Sequence, residues 1–399
     1  MSVTYPLGFR ASGLCCGIRP NRDKPDLALL VSDVPASAAA VYTTNLVKGA
    51  PLLVTQDHLR DGAARAVICN SGNANTCNAG GIEIAEAMCA LAGTQLGMPA
   101  GDVLVASTGV IGQPLPIAPI AAGMPGLCDS LSREGGAQAA RAIMTTDTFP
   151  KECAAAFDVS GVICRIGGMA KGSGMIHPNM ATLLAFLTTD AAIDPGVLAR
   201  ALKDSVGGTL NMLSVDGDTS TNDMCCVLAN GLAGNERITG PGPALDAFRL
   251  ALDTVLTALT RMLARDGEGA TKLLACRVAG AKTLRDARLA ARGVISSSLF
   301  KAAMFGADAN WGRVLCALGY SGAEIGVARV DVSFESAAGR VDVCENGAGI
   351  PFSEEQAALV LAEEEITVLI TLRDGDAAAA AWGCDLTYDY VKINGDYRT

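Results

Sequence analysis

The sequence predicts an α/β protein, and three observations carry that prediction. Short apolar runs of strand length recur along the chain up to Gly280. Ala-rich stretches with helical spacing lie between them. Half of the 399 residues are hydrophobic and only 4% are aromatic, so the chain can bury a large core built from Ala, Val, Leu, Ile and Met.

Taken in order, the runs Ala28–Val31, Ala66–Cys69, Val103–Ala106, Val162–Ile166 and Thr182–Leu187 read as strands. Ile82–Leu96 and Gly136–Met144 read as helices between them. The clearest helix is Ala244–Arg265, with Leu245, Phe248, Leu252, Leu256 and Leu263 along one side. After Leu299 the pattern returns to short strands, at Ala328–Phe334, Val341–Cys344 and Thr367–Leu372. A boundary near Gly280–Thr283 divides the chain into residues 1–281 and 282–399. No repeat of solenoid period is present.

The balance of 31 basic against 41 acidic residues gives a net charge of −10, with no Lys/Arg-rich run. That excludes nucleic-acid binding through a basic face. An acidic chain that takes an anionic substrate then needs a local cation in its site. There are 14 cysteines, none in CxxC spacing, and only two histidines, His58 and His177, so no metal site is expected. MSVTYPLGFR lacks the apolar core of a signal peptide. Two uncharged stretches, Val103 to Cys128 and Gly172 to Thr189, reach membrane-spanning length. Pro114, Pro116, Pro119 and Pro125 break the first, and Ser173, His177, Pro178 and Asn179 the second. The expectation is a soluble cytoplasmic protein with reduced thiols, mostly buried as small hydrophobes.

Six segments rich in Gly and small polar residues could carry chemistry. They are Asn70–Cys77 (NSGNANTC), Ser107–Gly112 (STGVIG), Lys171–Thr182 (KGSGMIHPNMAT), Asp216–Asp223 (DGDTSTND), Asp266–Lys272 (DGEGATK) and Lys392–Thr399 (KINGDYRT). Any one alone is an ordinary surface turn; six in one chain, several directly after apolar strands, weaken that reading. None has the spacing of a standard phosphate-binding loop. In Lys171–Thr182 a Thr follows a flexible Gly/Pro/Asn run at the head of an apolar strand. A Thr hydroxyl is a poor nucleophile without a base beside it. Cutting the chain before the Thr frees an α-amine that serves as that base, titrating near ~7.7. Spacing alone favours the plainer reading, a Thr that merely starts a strand.

MIHPNMATLLAFLTTDA, NSGNANTC, DGDTSTND, DGEGATK, DANWGRV and DLTYDYVKINGDYRT occur together and in order, and PLGFRASGL begins the series at Pro6. In these motifs the chain resembles the glutamate N-acetyltransferase (ornithine acetyltransferase) family of arginine biosynthesis, from Pro6 to Thr399. The resemblance implies an αββα sandwich with a smaller C-terminal α/β domain whose tail returns to the active site. It implies self-cleavage between Ala181 and Thr182, giving an α chain (1–181) and a β chain (182–399) that stay together as an α2β2 heterotetramer. The freed Thr182 is then the nucleophile that carries acetyl from N2-acetylornithine to glutamate. Some members also use acetyl-CoA as donor; no cofactor is implied beyond that co-substrate.

Residue by residue, Thr108 and Gly109 match the family's oxyanion-stabilising pair. Thr148, Lys171, Thr182, Glu268, Asn394 and Thr399 match substrate-contacting positions. Lys171 is the local cation that the acidic composition requires, and Glu268 can pair with a substrate ammonium or relay a proton. Plainer readings stand beside these: Lys171 as a solvated lysine, Glu268 as a helix-terminal cap. Asp216, Asp218 and Asp223 fit no EF-hand spacing and read as turn and hydrogen-bonding residues. His177, five residues before Thr182, is not required by the family pattern and is left out of the site; Cys77 and the Cys15-Cys16 pair read as core residues rather than nucleophiles. The competing functions are an N-terminal-nucleophile amidase or aminopeptidase with water as acceptor, and an acetyltransferase of secondary metabolism with the same motifs.

Overall fold

The computed structural model describes residues 2–177 and 183–396. These form two mixed β-sheets flanked by helices. The first sheet runs in the order Val103–Val110, Ala63–Asn73, Leu27–Tyr42, Met224–Ala229, Leu184–Thr189, Val162–Lys171 and Lys151–Val159, with Phe9–Leu14 added along Leu27–Tyr42. The second runs Ala348–Gly349, Gly339–Glu345, Asp331–Ser336, Glu365–Thr371, Leu273–Ala281, Ala377–Cys384 and Leu213–Ser214.

In the first sheet the middle strands are buried on both faces: every residue of Leu184–Thr189 and Met224–Ala229 is buried. The two pair in parallel, Leu184 with Met224 through Thr189 with Ala229. Such strands read as continuous apolar runs rather than alternating ones. On the outer side, Gly81–Leu96 and Ile117–Asp129 cover a core that includes Leu29, Ile68, Met88 and Leu127.

Helix Pro243–Arg265 joins the two halves. It opens with Pro at its first turn, where a missing N–H costs nothing. It buries Phe248, Leu252, Val255, Leu256, Leu259 and Leu263 along one side. That side meets Lys151–Val159 and Val162–Lys171 of the first sheet and Leu273–Ala281 and Ala377–Cys384 of the second. One apolar core therefore runs from Phe157 and Leu187 through this helix to Phe334 and Val368. Pro195–Gly208 packs beside it, capped by the Asp194 carboxylate, which accepts from the Gly196 and Val197 N–H groups.

The α/β class stands, and each expected strand and helix before Gly280 overlaps an observed element, with Leu184–Thr189 starting later than the expected Thr182. Beyond Leu299 the expectation of strands alone is incomplete. Helices Ser298–Phe305, Trp311–Tyr320, Glu354–Ala362 and Tyr388–Asp396 alternate with them. Leu273–Ala281 pairs in parallel with Glu365–Thr371 and antiparallel with Ala377–Cys384. Both partners of that strand lie beyond residue 281, so the second sheet already includes it. Among the described residues no helix is long and apolar enough to cross a membrane.

Candidate active site

The site begins with two parallel strand ends. Ala63–Asn73 and Val103–Val110 pair with Ser71 opposite Thr108 and Gly72 opposite Gly109, followed by a bulge at Asn73. Gly109 has φ of +131°, and a Cβ there would lie 2.4 Å from the Gly72 carbonyl carbon. Only glycine fits that backbone so close to its neighbour.

The Asp216–Asp223 loop is stitched onto these ends. The Asn222 side-chain amide donates to Ala74 O at 2.5 Å and Ser107 O at 3.0 Å, and its Oδ1 accepts from Thr76 and Thr221, each at 2.6 Å. Asp216 accepts from the Met175 and Ile176 N–H groups, so it organises a turn as expected. Asp223 is buried, and among the described residues its Oδ2 has no hydrogen-bond partner. Burial pushes its carboxyl well above the ordinary range, against the opposing pull of Ser220, Lys171 and Thr43.

Lys171, at the end of its strand, is also buried, and its Nζ donates to Thr108 Oγ1 at 3.1 Å. Burial lowers its pKa, opposed by Asp147, reinforced by Lys151, and opposed again by Asp223 and Cys69. Because Nζ supplies that proton, the Thr108 hydroxyl keeps its own for another acceptor. From the second half of the chain, the Glu268 N–H donates to Ser173 O at 3.0 Å. Its carboxylate accepts from Asn394 Nδ2 at 2.8 Å. The Tyr388–Asp396 helix that carries Asn394 docks on the Asp266–Lys272 loop, where Thr387 Oγ1 donates to Gly269 O at 2.7 Å. Gly269 has φ of +68°, and a Cβ on it would meet Tyr390 N at 2.7 Å.

These residues enclose one cleft of about 140 Å³, lined by Thr108, Gly109, Lys171, Glu268 and Asn394 together with Thr145, Thr146, Met175 and the Ser220–Asn222 turn. Five of the positions named from the sequence thus share one cleft, although they are scattered over nearly 290 positions of chain. Thr148 stands behind it: its hydroxyl and N–H both donate to Asp266. Ala181, Thr182 and Thr399 lie outside the described residues. His177 faces Ser214 Oγ at 3.1 Å and does not line the cleft.

Sequence reasoning missed a buried charge cluster beneath the cleft. Lys151 Nζ donates to Asp147 Oδ1 at 2.6 Å and Asp266 Oδ2 at 2.5 Å. Burial alone would raise the Asp147 pKa; Lys171, Lys151 and the Gly172 N–H outweigh it and hold the carboxyl at about 2. The spacing of Asp147 and Lys151 was the available signal, but in a sequence such a pair reads as exposed. Cys15 and Cys77 are exposed rather than core, because each sits in a loop at the surface. Burial pushes the Cys69, Cys225 and Cys276 thiols up, and that of Cys226 to about 12, which leaves these four inert.

A buried lysine against a threonine hydroxyl, a glycine-shaped strand end and a carboxylate line one polar cleft on an α/β scaffold, the candidate site of an enzyme. The chain belongs to the ArgJ family, whose model matches residues 10–399. It is 55% identical over 399 residues to the arginine biosynthesis bifunctional protein ArgJ of Symbiobacterium thermophilum, covering all of this chain and 98% of that protein. It is 50% identical over 398 residues to the protein of the same name from Caldanaerobacter subterraneus subsp. tengcongensis, again covering 98% of it. Among solved structures, the arginine biosynthesis bifunctional protein ArgJ from Bacillus halodurans is 44% identical, with a TM-score of 0.50. That match covers 53% of this chain and 98% of the solved one.

Proposed function

We propose that this protein is an autoprocessed acetyltransferase of arginine biosynthesis. It cleaves itself between Ala181 and Thr182, and the new N-terminal Thr182 carries acetyl from N2-acetylornithine to glutamate. In the first half-reaction the Thr182 hydroxyl attacks the amide carbonyl. The C–N bond breaks, ornithine leaves with the hydroxyl's proton, and an acetyl ester remains on Thr182. In the second, the glutamate amine attacks the ester, the C–O bond breaks, and the amine proton returns to the Thr182 oxygen, releasing N-acetylglutamate. The Thr182 α-amine is the base in both steps. Thr108 and the Gly109 N–H stabilise the oxyanion. Lys171 takes a substrate carboxylate, Glu268 a substrate ammonium, and Thr148, Asn394 and Thr399 complete substrate binding.

The observation that carries this reading is the shared cleft, where the Lys171 ammonium and the Glu268 carboxylate face the same space beside Thr108 and Gly109. A substrate bearing both a carboxylate and an ammonium suits such a pair better than water does, which disfavours the hydrolase alternative. The relatives are called bifunctional proteins of arginine biosynthesis, and a second activity is consistent with acetyl-CoA as a further donor to glutamate. The solved relative is a chain that spans about half of this one, the share that a chain beginning at Thr182 has, which supports the cleavage point. We also assign the protein to the cytoplasm as an α2β2 assembly. The test is a donor assay with glutamate: N2-acetylornithine and acetyl-CoA should each yield N-acetylglutamate, while Thr182→Ala stays one chain and yields none. Transfer by the uncleaved Thr182→Ala protein would refute the nucleophile.

A further inference from the structure

Lys151 has no part in the chemistry above, yet its side chain is 0% exposed and pairs with Asp147, the carboxylate that also acts on Lys171 of the cleft lining. Besides the two carboxylates, its Nζ donates to Phe149 O at 3.3 Å. An ammonium buried this completely is retained only with full pairing. Asp147 is just as occupied. Its Oδ1 accepts from Lys151 and, at 2.7 Å, from the Gly172 N–H, and its Oδ2 accepts from the Thr145 N–H at 2.9 Å. Gly172 directly follows Lys171, so Asp147 holds the backbone beside Lys171 and acts on its ammonium through space. The Lys171 Nζ nevertheless bonds to Thr108, on the cleft side.

We propose that Lys151 is a positioning residue: by occupying Asp147 it denies that carboxylate to Lys171 and leaves the Lys171 ammonium facing the cleft for the acceptor's carboxylate. The inference rests on the reading of Lys171 given under the proposed function. A buried carboxylate takes whichever ammonium is nearest, because an unpaired charge there is costly. Without Lys151, the ammonium that already acts on Asp147 through space is that of Lys171, and the acceptor loses its partner as Lys171 turns to that carboxylate.

The charges around Lys171 give the proposal a signature in pH. Asp147, Asp223 and Cys69 favour its protonated form, while Lys151 and burial disfavour it. Removing Lys151 drops a like charge and moves the loss of the Lys171 proton to higher pH. Neutralising Asp147 does the opposite.

The experiment measures kcat/KM for glutamate against pH on the full-length, self-cleaved protein and on four variants: Lys151→Met, Asp147→Asn, the double variant, and Lys171→Ala. In Lys151→Met, KM for glutamate should rise about tenfold or more, and the alkaline limb should move up. In Asp147→Asn the limb should move down. The double variant should recover KM, because the competing carboxylate is gone. A merely structural Lys151 gives the opposed shifts by its charge alone but no recovery of KM in the double variant. An unmoved limb in Asp147→Asn, or a double variant no better than Lys151→Met, overturns the proposal. Asp147→Asn keeps the Lys151–Asp266 pair, so the test stands even where Lys151→Met fails to fold. An unchanged glutamate KM in Lys171→Ala strikes down the reading of Lys171 itself. A raised KM there, with no shift in Asp147→Asn, strikes down only the role of Lys151.

Discussion

His177 illustrates how environment decides a residue's work. Burial and Arg292 push its pKa down against the pull of Asp218, Lys301 lowers it further, and it settles at about 4. The ring is therefore neutral at pH 7 and carries one N–H, without the second proton that would make it an acid. Its folded value lies below the unfolded value of about 6.5, so between the two the unfolded state binds more protons. The His177 contribution to stability is then present above pH ~6.5 and lost as pH falls through about 4. His177→Gln should flatten the pH dependence of the denaturation midpoint across that window and keep acetyl transfer near the wild-type rate. A transfer rate that collapses in a folded His177→Gln protein would return the histidine to the site. At this scale the sequence was partly legible. Thr108, Gly109, Lys171, Glu268 and Asn394 came through a family resemblance that rests on whole motifs. Lys151, Asp147 and Asp266 did not, because the partner that turns Lys151 into a buried cation lies 115 positions away.

Among elements, the Pro243–Arg265 helix was the most legible, since its apolar side repeats at helical spacing. Its Leu256 is fully buried in the core shared by the two sheets. Leu256→Ala should cost about 2–5 kcal/mol of stability by the usual cavity penalty, read as a lower denaturant midpoint with unchanged slope. Met224–Ala229 escaped notice although it sits mid-sheet. A six-residue strand buried on both faces shows no alternation, and its Cys225-Cys226 pair does not read as strand. The pairing of Leu273–Ala281 with Glu365–Thr371 could not be read ahead, because it is a long-range event that no local pattern records. The C-terminal helix is the element with most at stake in the proposed reaction. Deleting residues 394–399 should leave self-cleavage intact and lower transfer on the order of 10²-fold, the effect of lost orientation. Unchanged kcat/KM for both substrates would mark the tail as ordinary.

For the whole molecule, the arrangement of the first sheet bears on what self-cleavage does. Strands on either side of residues 181 and 182 are hydrogen-bonded neighbours: Lys171 pairs with Leu184 and Met169 with Phe186. Leu27–Tyr42 likewise pairs with Met224–Ala229. A cut at Ala181–Thr182 therefore separates no sheet, and the two pieces should co-purify under native conditions and part only in denaturant. The central claim is an acetyl ester on the terminal Thr182, and the most direct measurement is the intact mass of both pieces after incubation with N2-acetylornithine alone. The proposed reaction predicts one added acetyl mass on the piece that begins Thr-Leu-Leu-Ala-Phe, lost again on addition of glutamate. Rapid transfer to glutamate with no acetylated piece at any time would contradict it and require direct transfer between two bound substrates.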